Sequence, residues 1–337
     1  MHKPNEAHHP LYRAVITGSG SFVPDRVLTN EDLAKMVDTS DEWITTRTGI
    51  RTRHLTSDQE STALLASEAA KRALADARVQ ASDINLVIVA TITPEMVFPA
   101  TVCFVQQAIG ASNAWGFDLA AACSGFVYGL YVAQQFIENG QVRKALVIGA
   151  ETLTKLTNWK DRTSCILFGD GAGAVVLERG EDPQRGILYS AMGMDGAGWE
   201  SLSCRAYGSR HPAHKALDDP NLIYMSIRGR EVYQQAVRSI VESVENCLEA
   251  CHLTLDQIKM IVPHQMNARI IESAAKRLEL PDDKVFVNIA NYGNTSAASV
   301  PLAFDDCRRT GRLQQGDIVM FVAFGAGLTW GASVVRL

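Results

Sequence analysis

Hydrophobic and polar positions along the chain follow two periods, one of helices and one of buried strands. Ile84 to Thr91 is a nearly continuous apolar run, as expected of a strand covered on both faces, and Ala145-Leu-Val-Ile148 is another. Helical patterns lie around them. Ser61 to Ala77 is rich in Ala and Leu, Ala100 to Ile109 is a shorter helix, and Phe126, Leu130 and Ile137 recur at helical spacing before Asn139-Gly140 supplies a stop. Arg13 to Thr17 predicts a first strand. It runs into Gly18-Ser-Gly20, read as a tight turn because a dinucleotide-binding fingerprint would need a third glycine. Thr39-Ser40-Asp41-Glu42 has the pattern of a capping box, Thr39 with Glu42, and opens a helix that carries Trp43 and Arg47 on one face. Phe168-Gly169-Asp170-Gly171-Ala172-Gly173 predicts a glycine-rich turn feeding a strand.

The pattern occurs twice. Ala75 to Ala90 is a helix end, a linker with Asp83 and an apolar strand, and Leu248 to Pro263 repeats this order with Asp256 in the linker. The stretch from Leu167 to Leu177 likewise matches the one from Ala323 to Val335, with Phe168-Gly169 aligned on Phe324-Gly325. Two copies of one α/β unit imply an internal duplication. The expected division is a polar tail over 1–12, a first half over 13–182 and a second over 183–337. Alternating helices and buried strands place each half's sheet between helices, and sites tend to fall between halves.

Composition narrows the class. The 337 residues are 47% hydrophobic and 20% charged, with a formal net charge of -5, so bulk nucleic-acid binding is not expected. No apolar run reaches the ~18 residues of a membrane span. Met1-His2-Lys3-Pro4-Asn5-Glu6 starts a polar stretch without the apolar core of a signal peptide. Seven scattered cysteines point to reduced thiols and the cytoplasm. Cys247, Cys251 and His252 have no second ligand pair, so they are read as helix packing, and no metal is expected.

One cysteine differs from the rest. In Ala120-Ala121-Ala122-Cys123-Ser124-Gly125-Phe126, small residues lead to a thiol at a strand-to-helix elbow. The positive end of a helix there favours a thiolate, and small neighbours leave room for a substrate; the plain alternative is a buried structural cysteine. His264, just past the repeat strand, and Asn294, in a turn of small residues, complete a candidate set. Cys, His and Asn serve two chemistries. In a cysteine peptidase, His is the base and Asn orients it; in a condensing enzyme, His and Asn donate to a thioester oxygen while Cys carries an acyl group. Peptidase signatures are absent around Cys123, and the Trp43/Arg47 pair suits a nucleotide-bearing thioester.

Taken together, Thr39-Ser-Asp-Glu-Trp-Ile, Arg47-Thr-Gly-Ile-Arg, Ala120-Ala-Ala-Cys-Ser-Gly, Phe168-Gly-Asp-Gly-Ala-Gly-Ala, Pro263-His-Gln, Gly293-Asn-Thr-Ser-Ala-Ala-Ser-Val-Pro and Phe324-Gly-Ala-Gly-Leu-Thr-Trp-Gly resemble beta-ketoacyl-acyl-carrier-protein synthase III, in the thiolase superfamily, over residues 11 to 337. The resemblance implies an α/β fold whose two thiolase-like halves form αβαβα layers. It also implies a homodimer that needs no cofactor. Cys123 would take an acyl group from an acyl-CoA primer, acetyl-CoA foremost, with the N–H groups of Cys123 and Ala326 as its oxyanion hole. His264 and Asn294 would stabilise the enolate left when a malonyl-carrier protein loses CO2, and the product would be 3-oxoacyl-carrier protein. Thr39, Trp43, Arg47, Arg162, Gly229, Tyr233 and Asn267 fall at CoA-binding positions. Phe98 and Phe324 fall at acyl-pocket positions, Phe98 reaching across the dimer. Gln265, Arg269, Lys276 and Arg277 fall at carrier-docking positions. Arg230, Gln234 and Met266 depart from the family's pattern, which leaves the primer and the acceptor open. The alternatives are a relative in secondary metabolism with another acceptor, or a non-catalytic partner of the same fold.

Overall fold

The computed structural model describes residues 12–216 and 218–337, so the polar stretch over 1–11 lies outside the described residues. In chain order the main elements are β1 (Arg13–Phe22), α1 (Asp41–Thr48), α2 (Thr62–Ala77), β2 (Leu86–Ala90), α3 (Thr101–Ile109), β3 (Trp115–Leu119), α4 (Gly125–Glu138), β4 (Lys144–Thr152), β5 (Asp170–Gly180) and β6 (Gly186–Met194). There follow α5 (Gly229–Cys251), β7 (Met260–Pro263), α6 (Ala268–Arg277), α7 (Ser299–Arg309), β8 (Ile318–Gly325) and β9 (Thr329–Arg336).

The first sheet has the order β1-β5-β4-β2-β3, with β2 parallel to both β4 and β3 and the remaining pairs antiparallel. The second has the order β6-β9-β8-β7, again with two antiparallel pairs and then a parallel one. A parallel bridge from Ile261 to Val285 stands where the first sheet has β3. The strand order and the pairing senses repeat, which is the duplication read from the sequence.

Three apolar clusters stack the layers. Leu65, Ala69 and Ala73 of α2 and Val102 and Val105 of α3 cover the outer face of the first sheet. Phe126 and Leu130 of α4 and Val300 and Phe304 of α7 fill the space between the sheets. Val237, Ile240 and Val244 of α5 and Ile270 of α6 cover the far side of the second. Phe321 holds the centre, edge-on to Phe126 at 6.2 Å and Phe304 at 5.0 Å, contacts that contribute about 0.5–1.5 kcal/mol each beyond burial. A small fourth cluster seats α1 through Ile44.

Three local expectations are corrected. Gly18 and Gly20 are not a turn but lie inside β1. A Cβ on Gly18 would stand 2.5 Å from the Ala77 backbone nitrogen, so the glycines let α2 lie directly on the strand. Gly171 and Gly173 are likewise within β5, where a Cβ on Gly173 would stand 2.6 Å from the Leu302 nitrogen of α7. The cap of α1 is Ser40, whose hydroxyl accepts the Trp43 N–H at 3.1 Å, rather than Thr39, whose hydroxyl is buried without a partner among the described residues.

Candidate active site

Small residues build the elbow that holds Cys123. Ala122 takes a left-handed φ of +46°, a short 3-10 turn covers Ala122–Ser124, and α4 starts at Gly125. Gly325, the last residue of β8, passes so close beneath that a Cβ on it would stand 2.7 Å from the Cys123 nitrogen. Thr329 fastens this approach: its hydroxyl bonds to the carbonyls of Ala121 at 3.1 Å and Ala326 at 3.0 Å, and its own carbonyl accepts from Ser124 Oγ at 3.0 Å. The N–H groups of Cys123 and Ala326 thus sit on two loops held by one side chain.

Cys123 is 7% exposed, and burial pushes its thiol up to about 12. This corrects the expectation of a thiolate favoured by the helix end. Regular helix begins two residues beyond the sulfur, and desolvation outweighs the field of the helix end.

His264 follows the end of β7, with its backbone N–H on Val322 O at 2.8 Å. It is 1% exposed, and neither ring nitrogen has a partner among the described residues. Burial pushes it down to about 3, so the imidazole is neutral, with one N–H to donate. A buried, unpartnered imidazole is costly unless a ligand completes it.

Asn294 is fixed at both ends. Its N–H donates to Leu167 O at 2.8 Å and its O accepts from Gly169 N at 3.1 Å. The side-chain Oδ1 accepts the Ser296 N–H at 2.9 Å, so Nδ2 points the other way with its donors unused among the described residues. Behind this turn lies Arg53, fully buried, with its guanidinium on Leu28 O, Asn30 Oδ1 and Ile166 O. Burial pushes it down to about 10, and it stays charged.

Ser296 joins the loops. Its hydroxyl donates to Glu151 Oε1 at 3.0 Å, and its 3-10 turn lies against the Cys123 elbow, where a Cβ on Gly125 would stand 3.4 Å from the Ala297 Cβ. The first residue of α7, Ser299, accepts the Gln265 N–H at 2.7 Å, which ties the His264 loop to the same turn. Sequence reasoning missed Glu151 and did not single out Ser296. Glu151 ends an apolar strand, and a carboxylate there was itself a signal, since buried acids are rare.

Of the expected CoA positions, Trp43, Arg47, Arg162 and Asn267 gather at α1, Thr39 just precedes it, and Gly229 and Tyr233 lie on α5. Arg47 and Arg162 both lie over the Trp43 ring, at 4.4 and 5.1 Å, and Arg162 also holds Asp38. Asn267 caps α6 and donates to Arg47 O at 3.1 Å, while Tyr233 pairs with Ser273 at 2.6 Å. Gly229 opens α5 in open space. Phe98 and Phe324 do not meet within the chain: Phe98 is 82% exposed, and Phe324 is buried on the outer face of the second sheet with Val322.

Gln265 needs correction as a docking residue. It is 2% exposed, its Nε2 donates to Pro263 O and Phe286 O, and its Oε1 accepts from Asn288 N and Ile289 N, so no partner protein can reach it. Arg269, Lys276 and Arg277 are exposed on α6, although Arg269 Nε already holds Thr46 O at 2.9 Å. Among the described residues no cluster of three or more His, Cys, Asp or Glu could hold a metal ion, and no helix is long and apolar enough to cross a membrane.

Two duplicated sheets with helices between and outside them, a buried cysteine elbow packed on Ala297 of the Asn294 turn, and an imidazole and an amide whose donors are unused among the described residues define a thiolase-like condensing fold. Family models described as 3-oxoacyl-acyl-carrier-protein synthase III and its C-terminal part match residues 117–196 and 248–337. A beta-ketoacyl-acyl-carrier-protein synthase III from Caldanaerobacter subterraneus subsp. tengcongensis is 53% identical over 96% of this chain and 97% of its own length. The crystal structure of 3-oxoacyl-acyl-carrier-protein synthase III from Aquifex aeolicus superposes with a TM-score of 0.89 at 44% identity, covering 96% of this chain and 100% of that one. A priming beta-ketosynthase of a polyketide biosynthetic pathway gives 0.91 at 35% identity, covering 99% of both chains. The chain belongs to the beta-ketoacyl-acyl-carrier-protein synthase III family.

Proposed function

We propose that this chain joins an acyl group from acyl-CoA to malonyl-carrier protein by decarboxylative Claisen condensation, the step that starts a fatty acid chain. The observation that carries the reading is the pair of donors unused among the described residues, the neutral ring of buried His264 and Asn294 Nδ2, in a chain whose buried Cys123 is bonded to neither. Cys123 attacks the primer thioester, and the N–H groups of Cys123 and Ala326 take the oxyanion. CoA leaves, and malonyl-carrier protein enters. Its thioester oxygen accepts from His264 and Asn294, which stabilise the enolate as CO2 departs. The enolate carbon then attacks the acyl-Cys. An imidazole kept neutral by burial suits this role, because it donates one hydrogen bond without drawing a proton away. No cofactor is needed for these steps.

The purine of CoA fits between Trp43 and Arg162, with Arg47 toward the phosphates. The free cations Lys276 and Arg277, with Arg269, give α6 a basic face for an acidic carrier protein. A second copy of the chain fits the apolar loop of Met96, Val97 and Phe98, and the unpaired edge of β3 with its exposed Trp115. The break between strands at Gly180 and Gly186 supports halves over 13–182 and 183–337. Seven unpaired cysteines suit the cytoplasm.

Intact-protein mass spectrometry tests the function. Wild type and Cys123→Ala are incubated with a panel of acyl-CoAs, then with malonyl-carrier protein. A mass increment on wild type alone, discharged as 3-oxoacyl-carrier protein, is expected and identifies the primer. An increment that malonyl-carrier protein does not discharge would point to another acceptor, and no increment at all to a non-catalytic role.

A further inference from the structure

Nothing in the condensation accounts for Glu151, a fully buried carboxyl near the end of β4. This strand runs directly against the turn that follows Asn294, because a Cβ on Gly149 would strike the Ala297 carbonyl oxygen. Glu151, two residues on, faces the same side. Its two oxygens serve the two halves of the chain. Oε2 accepts from Thr91 Oγ1 at 3.1 Å, Ile92 N at 3.1 Å, Thr93 N at 3.1 Å and Thr93 Oγ1 at 2.7 Å, which anchors the carboxyl in the first half. Oε1 accepts from Ser296 Oγ at 3.0 Å, in the second half. The Ser296 N–H in turn donates to Asn294 Oδ1 at 2.9 Å. Carboxyl, serine and asparagine amide are therefore joined by consecutive hydrogen bonds, and all three residues are buried. Ser296 needs such an anchor, since its φ of +48° is left-handed, a conformation that disfavours any residue with a Cβ. Its N–H also sets the sense of the amide. A flipped Asn294 would turn Nδ2 onto that N–H, donor against donor.

We propose that Glu151 is a positioning residue for Asn294: through Ser296 it holds the Asn294 amide with Nδ2 turned to the thioester oxygen. The proposal rests on the role given to Asn294 in the condensation above. Glu151 acts only through Ser296 and transfers no proton. The Asn294 main chain is seated on the same half, through Leu167 O and Gly169 N. Both the backbone and the side chain of this donor are thus set by the half that carries Cys123. What the position demands is an acceptor for four donors on one side and a partner for a hydroxyl on the other, and not a charge. A glutamine meets that demand. Its oxygen takes the place of Oε2, and its Nε2 donates to Ser296 Oγ, with the sense of that one bond reversed. An alanine meets neither half of it, leaving buried donors unpaired and Ser296 untethered.

The test measures the two half-reactions apart and follows the amide directly. Cys123 is acylated from acyl-CoA and then chased with malonyl-carrier protein in wild type, Glu151→Ala, Ser296→Ala and Glu151→Gln. Glu151→Ala and Ser296→Ala should each slow the chase roughly 10–100-fold, in kcat rather than KM, and leave acylation within about threefold of wild type. Glu151→Gln should restore most of the rate. Added to Asn294→Ala, Glu151→Ala should cost nothing further, since the group that it positions is already gone. In protein carrying isotope-labelled asparagine, the side-chain amide resonance that Asn294→Ala removes should move in Glu151→Ala and in Ser296→Ala, and stay near its wild-type place in Glu151→Gln. A resonance unmoved in both alanine variants, or a chase slowed no more than acylation, would overturn the positioning role. So would Glu151→Gln as slow as Glu151→Ala, which would assign the effect to the charge. A wild type that acylates but does not condense would count against the proposed function instead, and the amide resonance would still decide the positioning. Far-UV circular dichroism checks folding; should Glu151→Ala not fold, Ser296→Ala, which loses only a hydroxyl, carries the same outcomes.

Discussion

The two elbows of the molecule have one backbone and opposite chemistry. Ala122 and Ser296 share a left-handed φ, each opens a 3-10 turn, over Ala122–Ser124 and Ser296–Ala298, and each turn runs straight into a helix packed between the sheets. In this register Cys123 stands opposite Ala297. Keeping Asp83 opposite Asp256 sets Thr91 against His264 and Glu151 against Phe324, so the match of Phe168-Gly169 with Phe324-Gly325 read from the sequence does not hold in the fold. Every polar working position in one half thus has an apolar or merely supporting counterpart in the other. The first elbow presents a sulfur, and the second presents a hydroxyl bonded to Glu151 and an amide whose donors are unused among the described residues. The difference teaches that duplication supplied the scaffold and that the chemistry was divided across it, so neither half holds a complete site.

The division predicts a split in kinetics, the largest effect expected. His264→Ala and Asn294→Ala should each lower condensation by about 10²–10³ fold, the usual loss for an oxyanion donor, while the acyl-Cys123 adduct still forms. Single-turnover acylation followed by a malonyl chase measures the two steps separately. Equal losses in both steps would mean that His264 and Asn294 also serve acylation, and the comparison would fail.

A tighter probe is the place where one half supports the other's elbow. Gly325→Ala puts a methyl 2.7 Å from the Cys123 nitrogen, against backbone that cannot yield as a flexible side chain would. The elbow and the Ala326 N–H must part, and a displacement of this kind lowers acylation by about 100-fold. Gly196→Ala, with no neighbour within 4 Å, is the control and should leave the rate unchanged. Acylation rates of the two variants, measured beside their thermal midpoints, tell a displaced elbow from an unfolded protein.

Much of the fold was legible in the chain. The apolar runs at Ile84 to Thr91 and Ala145 to Ile148, the repeat around Asp83 and Asp256, and the elbow at Cys123 all follow from local pattern, and the five layers follow from them. What stayed hidden depended on packing between distant segments. Gly18 and Gly20 read as a turn because their contact with α2 is invisible along the sequence. Gln265 read as a docking residue because its acceptors, Pro263 O and Phe286 O, come together only in the fold. The Cys123 thiol was expected to ionise because a helix end is a local feature, whereas desolvation is a property of the whole site. Ser296 lay in plain view inside a recognised motif, but its meaning required Glu151 from the other half.

The smallest expected effect sets the two buried titratable groups against each other. Glu151 is raised from 4.5 to about 7 in the folded chain, so the folded state binds its proton more tightly than the unfolded state. Its contribution to stability falls as pH rises from about 4.5 through 7. His264 is lowered from 6.5 to about 3, so the unfolded state binds the proton more tightly, and its contribution rises with pH between those values. Between pH 5.5 and 7.5 the two slopes oppose and partly cancel in wild type. Relative to wild type, Glu151→Gln should gain about 1–2 kcal/mol on going from pH 5.5 to 7.5, and His264→Asn should lose about 1 kcal/mol over the same interval. Urea unfolding of the three proteins at both pH values measures this. Opposite tilts would place one neutral acid and one neutral base in the two halves of the same buried site. Parallel tilts would mean that solvent reaches one of these groups, and the contrast between the two halves would then lie in their side chains alone and not in the protonation states that they hold.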